Sequence, residues 1–413
     1  MKSKTILFPA IFILISACTS VPPNDPQIQL DSRINNAMNK WEIPGLAVVV
    51  VMGGDSILMK GYGSRALGTS KPVNAETYLQ IASNTKMFTA YTIGMLVDEG
   101  LLNWDDPVIK HIPEFKLPDP MVAKNVAIDD LLTHRSGLTG LILGGVRNPD
   151  YTIEDLLKEL EDTPLTTRFR ARNNYSQVGM ALLGEIVARA SGMSWEKFVQ
   201  TRIFEPLEME ASYSSNADFT EKVGNPAEVE NIMKPAVKKD GKFIMGSWQN
   251  VGTESLYAPA GGIISNMRDM STWIQFRLND GMRNGQQLIS LDALNEIREP
   301  RIPVDHPTLP WSCVHPCAEL VDAGFGHYSF EHRGRRVISH NGAWMSSVIA
   351  IMPSENIGVG IFPNAWIGEP VIWASYGFVN ALALDILDHF LGHQETDWSS
   401  MMAEIVMAAG SGQ

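Results

Sequence analysis

The sequence feature that most constrains the fold is an uninterrupted apolar run, Gly45–Met52, which reads G-L-A-V-V-V-V-M. β-Branched residues dominate this run, and a proline and a glycine bound it, so the pattern predicts a buried strand. A Gly-Gly-Asp turn at 53–55 then leads into a second predicted strand, Ser56–Tyr62. Two strands joined by so short a turn form a hairpin.

Strand patterns return only late in the chain, where they predict two further hairpins. The four strands cover Gly324–Phe330, Val337–His340, Val348–Pro353 and Ile357–Phe362. The middle of the chain is mainly helical in pattern, with predicted helices over Asn84–Val97, Val178–Ala190 and Ser194–Phe204 and a polar surface excursion over Ser212–Asn250. Flanking helices are predicted over Asp31–Lys40 and Pro370–Gly392.

The simplest assembly of these elements is an α/β fold. One antiparallel sheet, built from both ends of the chain and flanked by helices, carries an inserted, mainly helical domain. We therefore predict an α/β domain over 31–78 and 265–413 and a helical domain over 79–264. A length of 413 residues suits two to three domains, or one large domain with an insertion.

Composition narrows the class of protein further. Hydrophobic residues make up 45% of the chain and charged residues 19%, which indicates a globular protein rather than a disordered one. The formal net charge is −13. An acidic surface repels phosphate backbones, so no nucleic-acid partner is expected.

The N-terminus reads as a targeting segment. Lys2 and Lys4 precede an apolar run, 6–17, that is too short to span a membrane. We predict a signal peptide over 1–17, and the end of the run resembles a bacterial lipobox with Cys18 as the lipidated residue. A plain signal peptide cut a few residues later is the alternative. The proline-rich stretch 18–30 is then a tether. The expected location is the periplasm, with a lipid anchor in the outer membrane as the only membrane contact.

Export also affects how the two remaining cysteines, Cys313 and Cys317, are interpreted. An oxidising compartment permits a disulfide between them, and two free thiols are the alternative. His315 lies between the cysteines, but no fourth ligand for a metal is evident.

Two motifs that commonly mark catalytic residues are absent. The chain has no G-x-S-x-G and no H-E-x-x-H. S-x-x-K occurs twice, at Ser83/Lys86 and at Ser194/Lys197. Ser194 comes two residues after Gly192, begins a helix and is better explained as an N-cap. Ser83 opens an apolar helix, and Lys86 lies on the same helix face. A buried lysine has a lowered pKa and can act as a base, whereas the alternative is an N-cap with a snorkelling lysine.

Two later motifs decide between these alternatives. Ser83-x-x-Lys86, Tyr175-Ser176-Gln177 and His340-Asn341-Gly342, in this order, resemble the three motifs of penicillin-recognising serine hydrolases. That superfamily contains class C β-lactamases, low-molecular-weight penicillin-binding proteins, D-aminopeptidases and family VIII esterases. Further stretches resemble the same superfamily: P-G-L-A-V-V-V-V at 44–51, L-L-T-H-R-S-G-L at 131–138, I-F-E-P-L at 203–207 and P-A-G-G at 259–262.

The resemblance implies a β-lactamase-like (DD-peptidase) fold, with the active site between the sheet and the helical domain. Ser83 would attack a carbonyl and form an acyl-enzyme, while Lys86 and Tyr175 would share the proton transfers. The N–H groups of Ser83 and Ala343 would bind the oxyanion, and Gly342 would let the strand approach the substrate. No cofactor or metal is needed. His134, within the L-T-H-R-S-G-L stretch, is interpreted as structural.

Three departures from the usual motifs bear on the substrate. Gln177 replaces an asparagine that holds the substrate amide, and His340 replaces a lysine that anchors a carboxylate. Trp344 adds bulk beside the oxyanion position. The strength of a histidine anchor would change across pH 5–8. These departures favour an exported esterase, amidase or peptidase for a small molecule or short peptide. A β-lactamase or a slow-turnover penicillin-binding protein is the alternative, and an adhesive lipoprotein is a third hypothesis.

Overall fold

The computed structural model describes most of the chain. The described residues are 26–142, 148, 150–248, 255–304, 321–343, 345–367, 374–393 and 395–410. Within these ranges, each helix is either too short or too polar to be a membrane-spanning segment. Cys18, Cys313, Cys317 and Trp344 lie outside the described residues, as do the predicted signal peptide and most of the predicted tether.

The helices and strands are numbered in chain order. The helices are α1 (Pro26–Trp41), α2 (Thr85–Asp98), α3 (Val108–His111), α4 (Pro120–Asn125), α5 (Ile128–Leu132), α6 (Ile153–Leu160), α7 (Gln177–Ser191), α8 (Trp195–Val199), α9 (Glu205–Leu207), α10 (Asn216–Lys222), α11 (Ala258–Gly261), α12 (Met267–Leu278), α13 (Leu291–Arg298), α14 (Ala374–Leu391) and α15 (Trp398–Gly410). Short 3-10 turns cover Ala82–Asn84, Ser255–Tyr257 and Pro353–Glu355, and a π-helical turn covers Gln200–Phe204.

The strands are β1 (Gly45–Met52), β2 (Asp55–Gly63), β3 (Leu79–Gln80), β4 (Ala236–Lys239), β5 (Lys242–Met245), β6 (Ile264–Ser265), β7 (Met282–Arg283), β8 (Gln286–Gln287), β9 (Ile302–Pro303), β10 (Val321–Ala323), β11 (Tyr328–His332), β12 (Arg335–Gly342), β13 (Ser347–Met352), β14 (Ile357–Pro363) and β15 (Ala365–Trp366). The main sheet has the strand order β2-β1-β14-β13-β12-β11-β10-β9. Every neighbouring pair in it is antiparallel. The first hairpin therefore pairs directly with the last long strand, which fits the predicted single antiparallel sheet built from both ends of the chain.

The apolar run in β1 is explained by burial on both faces of the sheet. Successive side chains of a strand point to opposite faces. Along β1 they enter two separate apolar clusters, one containing Ala47, Val49 and Val51 and the other Leu46, Val48 and Val50. Helix α12 packs on the first face, and α1, α14 and α15 lie on the second. A strand that is covered on both sides has no position for a polar residue.

Helix α2 is the centre of the helical region. Every residue from Thr85 to Leu96 is buried. The helix packs against α7, α11 and α13, so it has no solvent-facing side. Lys86, the lysine of the first S-x-x-K motif, is one of these buried residues.

Two local predictions were wrong, and one helix was missed. Helix α1 begins at Pro26, so residues 26–30 are helical rather than part of a tether, and Leu30 is buried in the core. The predicted surface excursion contains α10, β4 and β5, because Phe219, Ile232 and Met233 are fully buried. Helix α15 was not predicted. Its first N–H groups are capped by a carboxylate on α14, since Asp385 accepts from the backbone of residues 398 and 399.

Candidate active site

Ser83 lies in the 3-10 turn that leads into α2. The preceding residue, Ala82, has a φ of +48°, which is a left-handed conformation. The Asn84 side-chain amide donates to the Ile81 carbonyl (3.0 Å) and to Ser347 Oγ (2.9 Å). Ser347 Oγ itself donates to Ile81 O at 3.0 Å. These bonds tie the turn to β13 and so fix the serine relative to the sheet.

Lys86 is fully buried beside the serine. Its Nζ lies 3.3 Å from Ser83 Oγ, 2.9 Å from Gln177 Oε1 and 2.6 Å from the Ala260 carbonyl oxygen. No carboxylate is among these partners. Burial therefore lowers the pKa of the lysine well below its ordinary value.

Tyr175 brings a phenol to the same place from the residue before the N-cap of α7. Its hydroxyl oxygen is buried, and Lys86 Nζ lies 4.7 Å from the centre of its ring. Burial raises the pKa of Tyr175 well above its ordinary value, and the nearby Tyr328 adds to that effect. A hydrogen bond with the Ser83 side chain acts in the opposite direction. Hydroxyl, amine and phenol thus lie within one cluster.

Two neighbours hold the tyrosine in position. Ser176 is the N-cap of α7, where its Oγ accepts from Gly179 N (3.0 Å) and donates to Thr139 O (2.7 Å). His134 Nδ1 accepts from Ser176 N at 3.3 Å, and its ring centre is 4.7 Å from that of Tyr175. Burial, with the Lys86 charge, lowers the pKa of His134 to about 3, so the ring is neutral. These contacts give His134 a structural role, which is to hold Tyr175 in position.

Gln177 contributes to the site in a way that the sequence did not predict. The motif comparison predicted an altered contact with the substrate amide. In the structure, Gln177 is the first residue of α7, and its side-chain oxygen accepts from Lys86. Gln177 therefore orients the lysine.

The His-Asn-Gly segment ends β12 opposite the serine turn. A Cβ on Gly342 would lie 2.3 Å from Ser347 Oγ and 2.4 Å from Ile81 O, so any side chain there would collide with the turn. Asn341 Nδ2 donates to Asn380 Oδ1 at 2.9 Å, which ties the segment to α14. Ala343 follows directly, at the end of the strand nearest Ser83.

His340 is buried rather than presented as an ion-binding side chain. It is 1% exposed, its Nδ1 donates to the Asn341 carbonyl oxygen at 2.6 Å, and its ring lies 5.5 Å from that of Tyr328. Burial, together with the Lys86 charge, lowers the pKa of His340 well below its ordinary value. Burial therefore argues against the expected change of charge across pH 5–8, because desolvation disfavours the charged form of the imidazole.

Some contributing residues were missed from the sequence. Ala260 supplies a carbonyl oxygen to the lysine, and the P-A-G-G stretch was noted only as a likeness with no role attached. Asn84 and Ser347 fix the serine turn, and no pattern in the sequence indicated this. The second S-x-x-K is an N-cap as predicted: Ser194 Oγ accepts from Lys197 N at 3.2 Å.

The comparison with protein-family models agrees with this geometry. A model described as Beta-lactamase matches residues 30–371, which is most of the chain. The chain belongs to the Beta-lactamase family. The match runs from α1 to beyond β15 and so includes all three motifs of the site.

The relatives that resemble the chain in sequence are distant. Protein flp of Staphylococcus aureus (strain MRSA252) is 26% identical over 346 residues, covering 83% of this chain and 63% of that protein. The chain thus spans just under two thirds of this relative's length. The unguisins hydrolase ungD of Aspergillus violaceofuscus is 24% identical over 413 residues, covering 94% of this chain and 70% of that protein.

Two solved structures share the β-lactamase fold. An octameric penicillin-binding protein homologue from Pyrococcus abyssi matches with a TM-score of 0.67 at 24% identity, covering 88% of this chain and 77% of that one. A class C β-lactamase from Rhodobacter sphaeroides matches with a TM-score of 0.65 at 21% identity, covering 88% of this chain and 99% of that one. The predicted superfamily and fold are confirmed by these matches together with the family model.

Proposed function

We propose that the chain is a hydrolase that forms an acyl-enzyme on Ser83 and cleaves an ester or amide bond in a small molecule or short peptide. The observation that carries the proposal is the convergence of the serine hydroxyl, the Lys86 amine and the Tyr175 phenol. A nucleophile with a base and a proton donor in reach is the minimum set for acyl transfer. The name of the relative ungD, a hydrolase, supports the same class of reaction.

Lys86 is the base that we assign to the first step. A neutral amine has two N–H donors and one lone pair. Gln177 Oε1 and Ala260 O can only accept, so they take the two donors, and the lone pair is left facing Ser83 Oγ. The amine then takes the hydroxyl proton as Oγ bonds to the substrate carbonyl carbon. The carbonyl electron pair moves onto oxygen, near the N–H groups of Ser83 and Ala343.

Tyr175 is the group that we assign to the leaving side. Its raised pKa keeps the phenol protonated at neutral pH, so it enters the reaction as a proton donor. The phenol proton passes to the leaving alcohol or amine as the carbon–heteroatom bond breaks. The proton on Lys86 then restores the phenol. Water hydrolyses the ester on Ser83 by the same path in reverse.

The substrate that we propose lacks a carboxylate next to the scissile bond. The position where relatives with K-T-G carry a lysine is His340, and this imidazole is buried and neutral. A neutral ring that already donates to a carbonyl offers little to an anion. Esters and amides without that charge are therefore favoured, with β-lactam hydrolysis or slow penicillin acylation as the alternative.

Three chromogenic substrates, assayed in parallel, test the proposal. We expect burst kinetics with p-nitrophenyl butyrate or D-Ala-p-nitroanilide and slower turnover of nitrocefin. Ser83→Ala abolishes turnover, whereas the matched variant Ser194→Ala retains it, because Ser194 only caps a helix. Faster nitrocefin turnover would establish a β-lactamase, and a stable penicillin adduct would establish a penicillin-binding protein. Equal turnover by Ser83→Ala and wild type would disprove the mechanism.

We also propose export to the periplasm through 1–17 and a lipid anchor on Cys18, which the targeting pattern at the N-terminus supports. The test is expression of the full chain with radiolabelled palmitate. Label should appear in the wild type and be absent from Cys18→Ala. Release of an unlabelled wild-type protein into the soluble periplasmic fraction would favour the plain signal peptide.

A further inference from the structure

Thr89 lies three residues after Lys86 on α2, and its side chain is fully buried. Side chains three apart on a helix lie on the same face. Thr89 Oγ1 donates to the Pro259 carbonyl oxygen at 2.7 Å, and the next carbonyl oxygen, that of Ala260, accepts from Lys86 Nζ at 2.6 Å. One face of α2 therefore bonds to two consecutive carbonyls of α11.

These two carbonyls lack their usual partners, because α11 is a single turn. In a longer helix, Pro259 O would accept from Ile263 N, and Ala260 O would accept from Ile264 N. Ile263 N instead donates to Thr85 Oγ1 at 3.2 Å, and Ile264 N donates to a distant main-chain carbonyl at 3.0 Å. A buried carbonyl without a donor is unfavourable, so both oxygens need donors from outside α11.

The direction of the Thr89 hydroxyl is unusual for a threonine inside a helix. Such a hydroxyl commonly donates to a carbonyl three or four residues earlier in the same helix. Thr92 does so, since its Oγ1 donates to Thr89 O at 2.7 Å. Thr89 instead uses its single hydroxyl proton on α11. These two buried threonines of α2 thus differ in whether the hydroxyl bonds to α11.

Helix α7 holds the same turn from another side. A Cβ on Gly184 would lie 2.4 Å from Pro259 Cγ, so α7 packs directly against the proline ring. The same helix begins with Gln177, whose side-chain oxygen is the other acceptor of Lys86. Both acceptors of the lysine are therefore fixed relative to α7, and Pro259 lies between that helix and Thr89.

We infer that Thr89 is a positioning residue for the base: its hydroxyl fixes the Pro259 carbonyl and so holds the Ala260 carbonyl where it accepts from Lys86. The inference rests on the proposed function, in which the lone pair of the neutral amine faces Ser83. An amine that loses one of its two acceptors can rotate, and its lone pair then turns away from the serine. Thr89 thus acts through α11 rather than on the substrate.

Loss of this support also changes the protonation of Lys86. A carbonyl oxygen favours the charged form of an amine, so a weaker bond to Ala260 O lowers the lysine pKa further. In the described part of the chain, three titratable groups face Lys86 from other elements: Tyr175, His134 and His340. Burial keeps the first protonated and the other two deprotonated at neutral pH, so none of them carries a compensating charge there.

Thr89→Val tests the inference, because valine keeps the branched shape of threonine and lacks the hydroxyl. The full chain is mixed rapidly with p-nitrophenyl butyrate. We expect the burst rate constant to fall about tenfold, because a misplaced base loses part of its ~10²–10⁴-fold contribution. The acid limb of kcat/KM should move to lower pH by about 0.5–1 unit, which corresponds to one lost hydrogen bond. The substrate concentration that gives half the maximal burst rate should stay the same.

Two further variants separate positioning from folding. Thr89→Ser restores the hydroxyl and should restore both the burst rate constant and the acid limb. Thr92→Val removes a buried hydroxyl that bonds only within α2 and should behave as the wild type. A role in folding alone would lower the burst amplitude of Thr89→Val, which counts active molecules, and leave its rate constant and acid limb unchanged. That result, or equal effects of Thr92→Val and Thr89→Val, would overturn the inference.

Gly184→Ala displaces the same turn while leaving every hydroxyl in place, and it decides the question if Thr89→Val does not fold. The added methyl group pushes Pro259 away from α7, so the burst rate constant should again fall with the half-saturating substrate concentration unchanged. Gly179→Ala on the same helix is the control, since its Cβ would have no atom closer than 3.6 Å. A wild-type burst rate constant in Gly184→Ala would show that the position of these carbonyls is unimportant and would refute the inference.

Ser83→Ala, assayed beside these variants, separates this inference from the proposed function. Wild-type turnover by Ser83→Ala would overturn both. If Ser83→Ala is inactive while Thr89→Val keeps the wild-type burst rate constant and acid limb, the proposed function stands and the role of Thr89 is disproved.

Discussion

Replacing Gly342 by alanine perturbs the approach of β12 to the nucleophile without touching a reactive side chain. The new Cβ would lie 2.4 Å from Ile81 O and 2.3 Å from Ser347 Oγ. An ordinary carbon–oxygen contact is roughly 3.3 Å, so strand and turn must separate by about 1 Å. The carbonyl cannot yield easily, because it accepts hydrogen bonds from Asn84 and Ser347. A displacement of ~1 Å in a catalytic frame costs on the order of 10²-fold in rate.

We therefore expect Gly342→Ala to lose about 10²-fold in kcat on p-nitrophenyl butyrate while remaining folded. The assay is steady-state kinetics, with circular dichroism to verify folding. Gly179→Ala is the matched control, because its new Cβ would have no atom closer than 3.6 Å, and its kcat should equal that of the wild type. A kcat for Gly342→Ala within about twofold of the wild type would refute the argument that close approach of this strand is required.

Three further predictions follow from buried charges. Lys86→Met should abolish the burst. In the wild type, kcat/KM should fall as the pH decreases through the lowered pKa of the lysine. A decline of kcat/KM centred near the ordinary lysine pKa of 10.5 would contradict this prediction. Asp130→Asn should cost ~3–5 kcal/mol in urea unfolding, because this buried carboxylate pairs with Arg135 and Arg170; a loss below 1 kcal/mol would show that the pairs are unimportant. Burial alone would raise the pKa of Asp388, but hydrogen bonds from a histidine, an arginine and a tryptophan hold it well below its ordinary value. Its contribution to stability is thus present at neutral pH and lost as pH falls, so Asp388→Asn should be less stable at pH 7 and approach the wild type below about pH 4. A difference independent of pH would contradict that linkage.

The parts of the fold that the sequence predicted are those encoded by periodicity. The run over 45–52 has no polar position, and that pattern alone predicted a buried strand. The late strands and α2 were found in the same way, with bounds that differ by a few residues. Helix α15 was not predicted, because the carboxylate that caps it, Asp385, lies on another helix. A local sequence pattern does not contain that contact.

The candidate site likewise contains residues that a local sequence pattern pairs and residues that only the tertiary structure brings together. Ser83 and Lys86 are three residues apart on one helix, so local geometry was enough to pair them. Tyr175 was assigned from the order of motifs, and its position against Lys86 is a tertiary contact. The role of Gln177 could not be predicted, because the bond from its oxygen to the lysine joins residues 91 positions apart.

The sequence by itself determined which residues are apolar, where helices and strands recur, and which reactive side chains stand in motif order. These properties are local or are preserved in the linear pattern. Only the tertiary structure decided that His340 is buried and that the Ala260 carbonyl oxygen accepts from Lys86. The reason is that pKa values and hydrogen-bond partners depend on burial and on neighbours far apart in the chain, and folding alone creates both.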